Sequence, residues 1–218
     1  MKVDVVRDIL EANDQVAAEL NTDFSARGIL ALNLMSSPGS GKTTLLERTL
    51  TDLRDEFSMA VIEGDCQTEN DARRVAATGA RAVQINTNGG CHLDSDMVRD
   101  ACQKLGLEGT DILVVENVGN LVCPAEFSVG EDYKVTILSV TEGDDKPEKY
   151  PFIFAESRVM ILNKIDLLPY VRFDVEKASA FARALNKDME IFPLSAATGE
   201  GMGAWYDWLR RERAGKLR

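Results

Sequence analysis

The chain has 218 residues, 44 % of them apolar, which suits one sizeable core. Its 36 acidic residues outweigh 25 basic ones, and the net charge of -11 excludes the basic stripe that a nucleic-acid surface needs. No apolar run has the length of a membrane span, the opening MKVDVVRDILEANDQ lacks the apolar core of an export signal, and the four cysteines (Cys66, Cys91, Cys102, Cys123) are expected to be thiols of a cytoplasmic protein.

In chain order, residues 3–20 read as an amphipathic helix, so residues 1–28 are expected to form a helical extension of a single domain covering 1–218. Residues 29–35 form a β-rich apolar run, as expected of a strand buried on both faces of a parallel sheet. They lead into Ser36-Ser37-Pro38-Gly39-Ser40-Gly41-Lys42-Thr43-Thr44 and a helix over 41–54. A glycine-rich turn ending in Gly-Lys-Thr between strand and helix cradles phosphates with its backbone N–H groups. Gly41, Lys42 and Thr43 fit the G-x-x-x-x-G-K-[ST] pattern, and Ser36 stands where the first glycine is usual. Gly39, Ser40, Gly41, Lys42, Thr43 and Thr44 are therefore candidate phosphate ligands, with Lys42 reaching the β and γ phosphates and the Thr43 hydroxyl holding Mg²⁺. A turn that binds nothing is the competing reading, and the strand before and helix after disfavour it.

The second strand, 59–62, runs into Glu63-Gly64-Asp65, with Asp71 at the start of a helix over 70–78. A switch carboxylate is expected here; Asp65 is favoured, and Asp71 reads equally as an ordinary helix-start acid. The third strand, 82–85, precedes Cys91-His92, which contains the chain's single histidine. Thiolate and imidazole are preferred ligands of zinc and nickel. In the helix over 94–105, Val98, Ala101, Cys102 and Leu105 share a face, so Cys102 reads as a buried apolar group, and Cys66 is given no metal role.

The fourth strand, 112–115, continues into Glu116-Asn117-Val118-Gly119, which resembles a Walker B strand and DxxG switch with Glu in place of Asp. Glu116 is expected to hold Mg²⁺, directly or through water. Cys123-Pro124 follows in the same loop; no glutamine follows Gly119 and no arginine finger is evident, so slow intrinsic hydrolysis is expected. After strands over 135–140 and 159–162 comes Asn163-Lys164-Ile165-Asp166, which resembles the NKxD motif of GTPases, whose aspartate accepts hydrogen bonds from N1 and N2 of guanine. A helix over 171–185, a strand over 190–193 and a helix over 202–213 complete the chain, and Ser195-Ala196-Ala197 resembles the loop that backs the guanine ring.

This alternation implies an α/β fold, a P-loop NTPase three-layer sandwich with a mostly parallel sheet and helices on both faces, binding ligands at the carboxyl ends of its strands. Cys91, His92 and Cys123 all fall in loops at that edge, after strands that a parallel sheet could set side by side. Three ligands are too few for a closed tetrahedral site, so two copies meeting across a two-fold axis are expected to complete it.

The segments LNLMSSPGSGKTTLLE, EGDCQTENDA, NTNGGCHLD, ENVGNLVCPA, SVTEGDDKPEKYP, NKIDLLPY and LSAATGEGM together resemble the HypB family, the nickel-incorporation GTPases of [NiFe]-hydrogenase maturation. The resemblance implies GTP and GDP as ligands with Mg²⁺, and Ni²⁺ or Zn²⁺ at Cys91, His92 and Cys123. It implies Glu116 and Asp65 or Asp71 as switch carboxylates, Asn163, Lys164 and Asp166 at the base, and a homodimer promoted by GTP. In relatives the loop of Lys146 and Lys149 lies beside that interface, with Lys149 directed to the partner's nucleotide. A HypA-type nickel metallochaperone and the hydrogenase large-subunit precursor are the implied partners, with no nucleic acid and no membrane. Neither the N-terminal cysteine motif nor the histidine-rich tail of some relatives is found in the sequence, and a single histidine excludes nickel storage while leaving transfer. Three alternatives stand beside this reading. The sister urease GTPase, UreG, carries a Cys-Pro-His motif, whereas here Cys123-Pro124 and His92 lie in different loops. A P-loop kinase has no need of residues 163–166. A regulatory switch would use the cysteines structurally.

Overall fold

The computed structural model describes residues 5–65 and 74–217. Its strands are β1 (Leu30–Ser36), β2 (Met59–Asp65), β3 (Arg81–Asn86), β4 (Ile112–Glu116), β5 (Tyr133–Ser139), β6 (Val159–Asn163) and β7 (Glu190–Pro193). They form one sheet in the order β3-β2-β4-β1-β5-β6-β7, and each neighbouring pair is parallel. Such a sheet must be covered on both faces. The helices that cover and flank it are α1 (Val5–Ala26), α2 (Lys42–Asp52), α3 (Ser95–Leu105), α4 (Cys123–Glu126), α5 (Lys146–Lys149), α6 (Pro151–Glu156), α7 (Val175–Leu185) and α8 (Met202–Gly215). None of the described helices is long and apolar enough to cross a membrane.

The period-2 alternation of β1 builds two layers at once. Leu30, Leu32 and Leu34 join Leu45 and Leu46 of α2 and Trp205 and Trp208 of α8 in one core, while Ala31 and the preceding Ile29 join Leu20 and Phe24 of α1 and Val98 of α3 in another. A third core, around Met35, Leu138, Phe154 and Leu162, underlies α6 and α7. Sequence-local caps fix the helix starts: the Asp94 side chain accepts from the Met97 N–H (2.8 Å) and Asp174 from the Lys177 N–H (2.9 Å). By contrast α2 starts at Gly41, at φ 99°, with no side-chain cap, which leaves its first N–H groups for an anion.

Several boundaries differ from the sequence expectation. The first helix continues to Ala26 because Leu20 and Phe24 are core residues. Strands β2, β4 and β6 run through Asp65, Glu116 and Asn163, because their ladders remain paired to the end, Glu63 standing opposite Glu116 and Ser139 opposite Asn163. The short helices α4 and α5, in segments expected to be loops, and α6, in a segment assigned no element, each have proline at a first-turn position, where its missing N–H has no cost. The helix expected over 171–185 begins at Val175, behind the Asp174 cap, and residues Ile165–Tyr170 form a 3₁₀ helix instead. The helix expected over 70–78 begins outside the described residues.

Candidate functional site

At the carboxyl edge of the sheet a cleft of about 540 Å³ is lined by the loop before α2, the ends of β2 and β4, and Lys164. Gly39 and Gly41 hold left-handed backbone angles (φ 77° and 99°). A Cβ on Gly41 would lie 2.5 Å from the Asn163 side chain, so glycine is required there. Ser36, in the place of the usual first glycine, is fully buried and takes a structural part: its Oγ accepts from Lys42 Nζ (2.9 Å) and Ser40 Oγ (2.6 Å). The ammonium is thus held over the loop where phosphates would lie.

The Thr43 hydroxyl donates to Glu116 Oε1 at 2.9 Å. Glu63 stands opposite Glu116 in the β2–β4 register, and both are buried at the wall of the cleft. The sequence favours Asp65 as the switch carboxylate; Glu63, two residues before it, joins the candidates as an acid on a buried strand where apolar residues are usual. Asp65 closes β2, paired with Asn86, and Cys66 and Asp71 lie outside the described residues. A hydroxyl and two carboxylates beside a lysine form an all-oxygen donor set that fits Mg²⁺.

Asn163 ties three loops together. Its Nδ2 donates to the Ser40 carbonyl (2.9 Å), and its Oδ1 accepts from the N–H groups of Lys164 (2.8 Å) and Ala196 (3.1 Å). Lys164, at φ 65°, donates from Nζ to the Gly39 carbonyl (2.7 Å) and so lies across the phosphate loop. Asp166 Oδ1 is buried with no hydrogen-bond partner among the described residues, as an acceptor awaiting a base N–H would be. The 195–197 loop is closed by Ser195 N–H to the Glu200 carbonyl (2.8 Å) and Thr198 N–H to Ser195 Oγ (3.1 Å), with Arg48 bonding the carbonyls of Ala196 and Ala197.

Glu142 is a second residue the sequence reading missed. It accepts from the Ser139 N–H (3.0 Å) and from the Ser37 hydroxyl of the phosphate loop. Burial pushes its carboxyl above the usual range, opposed by the Ser139 N–H and by Lys146, Lys164 and Lys42. Lys149 is exposed and paired with Asp145 (2.5 Å), which raises its pKa; it does not line its own cleft.

The potential metal ligands converge. One ligand atom each from Cys91, His92 and Cys123 lie within 4.8 Å of one another, with the sulfurs 3.0 Å apart and Cys91 Sγ 3.5 Å from His92 Nδ1. The imidazole stacks on Phe127 at 3.9 Å, and burial lowers its pKa against the opposing charges of Asp94 and Glu126, which favours the neutral, ligating form. Asn120 joins the two loops, donating to the Cys91 carbonyl (3.2 Å) and accepting from the Val122 N–H (2.9 Å). The expected side-by-side strands are corrected by the topology: β2 lies between β3 and β4. The loops still meet because Leu93 crosses the end of β2 over Gly64, where a Cβ would stand 2.8 Å from its side chain.

Cys102 is half-buried on α3 beside the core, and burial pushes its thiol up to about 12. Its thiolate fraction at pH 8 is then roughly a thousandfold below that of an ordinary thiol. Iodoacetamide labelling followed by mass spectrometry is expected to find Cys102 modified well after Cys91 and Cys123, and equal rates would contradict this placement.

Residues 30–193 match the family model described as the CobW/HypB/UreG nucleotide-binding domain. The hydrogenase maturation factor HypB of Escherichia coli strain K12 is 56 % identical over 211 residues, covering 97 % of this chain and 73 % of that protein. Among solved structures, HypB from Helicobacter pylori in complex with nickel superimposes with a TM-score of 0.88 at 38 % identity, covering 94 % of this chain and 96 % of that one. The HypB structure from Archaeoglobus fulgidus gives 0.87 at 38 % identity, covering 93 % and 99 %. With a phosphate loop, a buried unpartnered aspartate oxygen at Asp166 and a Cys-His-Cys cluster on one sheet edge, and with these relatives, the chain belongs to the HypB hydrogenase maturation factors of the CobW/HypB/UreG family.

Proposed function

We propose that the chain hydrolyses GTP to GDP and phosphate and uses the nucleotide state to hold and release a nickel ion, with zinc as a competing cargo, for insertion into the [NiFe]-hydrogenase large subunit. The observation that carries this reading is the placement of the Cys91–His92–Cys123 cluster and the phosphate cleft at the two ends of one short loop, 116–123. Lys42 and the N–H groups of 39–44 bind the phosphates, and Asp166 accepts from the guanine ring. Thr43, Glu116 and Glu63 are the groups that would hold Mg²⁺, which when bound offsets negative charge on the β and γ phosphates. Water attacks the γ phosphorus and the bond to the β-phosphate oxygen breaks; Lys42 stabilises the charge that develops. The sequence has no glutamine directly after Gly119, where GTPases carry the residue that orients this water, which supports slow intrinsic turnover. A HypA-type nickel chaperone and the large-subunit precursor are the proposed partners, in the cytoplasm.

Nickel and thiolates suit a thiolate-rich planar site, whereas zinc prefers a tetrahedron, so a second copy supplying ligands across a two-fold axis completes either. GTP is expected to shift the protein from monomer to dimer and GDP to release it, with Lys149 directed toward the partner's nucleotide. Sedimentation velocity with GDP, with a non-hydrolysable GTP analogue and without nucleotide measures this; one mass in all three conditions contradicts it.

The function itself is tested by nickel titration in both nucleotide states. Native protein is expected to bind nickel with affinities that differ between GDP and the analogue, and Cys123→Ala to bind more than about a hundredfold more weakly in both, since losing a ligand costs more than losing its support. Equal binding by native protein and variant would leave a plain GTPase switch as the better reading.

A further inference from the structure

Asn117 follows Glu116 in the chain, is fully buried beside the phosphate cleft that it helps to line, and has both ends of its amide engaged. Its Oδ1 accepts from the Leu93 N–H (3.0 Å) and the Val118 N–H (2.9 Å), and its Nδ2 donates to Asn33 Oδ1 (3.2 Å). Leu93 is the residue after His92. Its side chain is buried against Gly64 at the end of β2. The backbone that presents His92 is therefore clamped between the two strand ends that wall the phosphate cleft. Asn33 is itself buried in the central strand, donating to Glu131 Oε1 at 3.3 Å, so the amide of Asn117 has a fixed anchor on its far side. Downstream, Gly119 packs on Pro38 of the phosphate loop, where a Cβ would lie 3.1 Å from the ring, and Asn120 then bonds the Cys91 carbonyl.

We infer that Asn117 is a positioning residue that transmits the state of the phosphate cleft to the Cys91–His92–Cys123 cluster. This rests on the coupled-delivery reading above and deepens it. A buried amide with two acceptor bonds and one donor bond admits few orientations, because a half-satisfied one leaves a polar group unpaired in the core. Movement of the 116–119 loop at a γ-phosphate then displaces either the Leu93 N–H, and with it His92, or Asn117 from Asn33. Asn120, three residues further, joins the two metal loops to each other, bonding the Cys91 carbonyl and the Val122 N–H. The two asparagines thus have separable roles: Asn120 in holding the cluster, Asn117 in informing it.

The experiment is a coupling measurement on the full chain. Nickel dissociation constants are taken with GDP and with a non-hydrolysable GTP analogue, and nucleotide constants with and without nickel, for native protein, Asn117→Ala, Asn117→Ser and Asn120→Ala. The serine variant has a polar group too short to reach the Leu93 N–H, so it tests the same bond should the alanine variant fail to fold. Native protein is expected to show a nucleotide-dependent factor of about tenfold, and by linkage the same factor in the reciprocal measurement. In Asn117→Ala or Asn117→Ser the factor is expected to fall to within about twofold of unity, whereas Asn120→Ala weakens nickel binding equally in both states and keeps the factor. A uniform loss of nickel affinity with the factor intact in the Asn117 variants makes the residue merely structural and overturns the inference alone. A factor of one in native protein overturns the coupled-delivery reading and the inference with it.

Discussion

Lys42→Ala is expected to lower GTP turnover by at least about a hundredfold, the cost of removing a donor aimed at charge that develops only in the transition state. The ammonium is pre-positioned: it rests on Ser36 Oγ at 2.9 Å, a hydroxyl fixed in turn by Ser40. The substitution leaves the fold in place, because Lys42 is not a core residue and α2 is held by Leu45, Leu46 and Leu50. Single-turnover hydrolysis with a parallel thermal melt measures both statements. Thr43→Ala should lower turnover too, but with a higher Mg²⁺ requirement, since it removes an oxygen from the Glu116 pair and leaves the lysine untouched. A near-native rate in Lys42→Ala would remove the cleft from the reaction.

Asp166→Asn is expected to reverse base preference. In the proposed complex the carboxylate would accept from guanine N1–H and N2–H, two charge-assisted hydrogen bonds worth about 1.5–3 kcal/mol each. An amide keeps one acceptor and puts a donor against the exocyclic amine. GTP affinity should drop by roughly 10²–10³-fold, and xanthosine triphosphate, with an acceptor at position 2, should become the better ligand. Displacement of a fluorescent nucleotide by GTP, XTP and ATP gives the comparison. Native protein binding ATP as well as GTP would refute the guanine reading outright.

The elements that set these predictions were legible for definite reasons. Runs such as 112–115 and 159–162 are apolar throughout, which only a strand covered on both faces tolerates, and the motifs follow directly at their carboxyl ends. Cys91, His92 and Cys123 could be grouped because all lie past such ends. What escaped depended on strand order. Only after β2 is seen between β3 and β4 does Gly64 acquire its purpose, as the place where Leu93 passes over, and only then does Glu63 face Glu116. The bond between Asn33 of β1 and Asn117 after β4 leaves no trace in local periodicity. Glu142 was hidden likewise, since its partner Ser37 is over a hundred residues away. The helices α4 to α6 were too short for a 3.6-residue period to declare itself.

The central position of β1 also governs how the molecule can be made. The strand that ends in the phosphate loop emerges first, yet its partners are β4 and β5, with Ser36 opposite Ile137. About a hundred residues must follow it before that ladder can close, roughly 5 to 20 s at ordinary rates of synthesis. During that interval β1 is an apolar segment with no sheet, and the loop it carries has no frame to hold its left-handed glycines. Asn163, which braces the loop from β6, arrives later still. A nascent chain therefore cannot be rescued early by nucleotide: GTP can stabilise only a product that is nearly complete, and the long wait of β1 is the stage at which a chaperone would find most to protect.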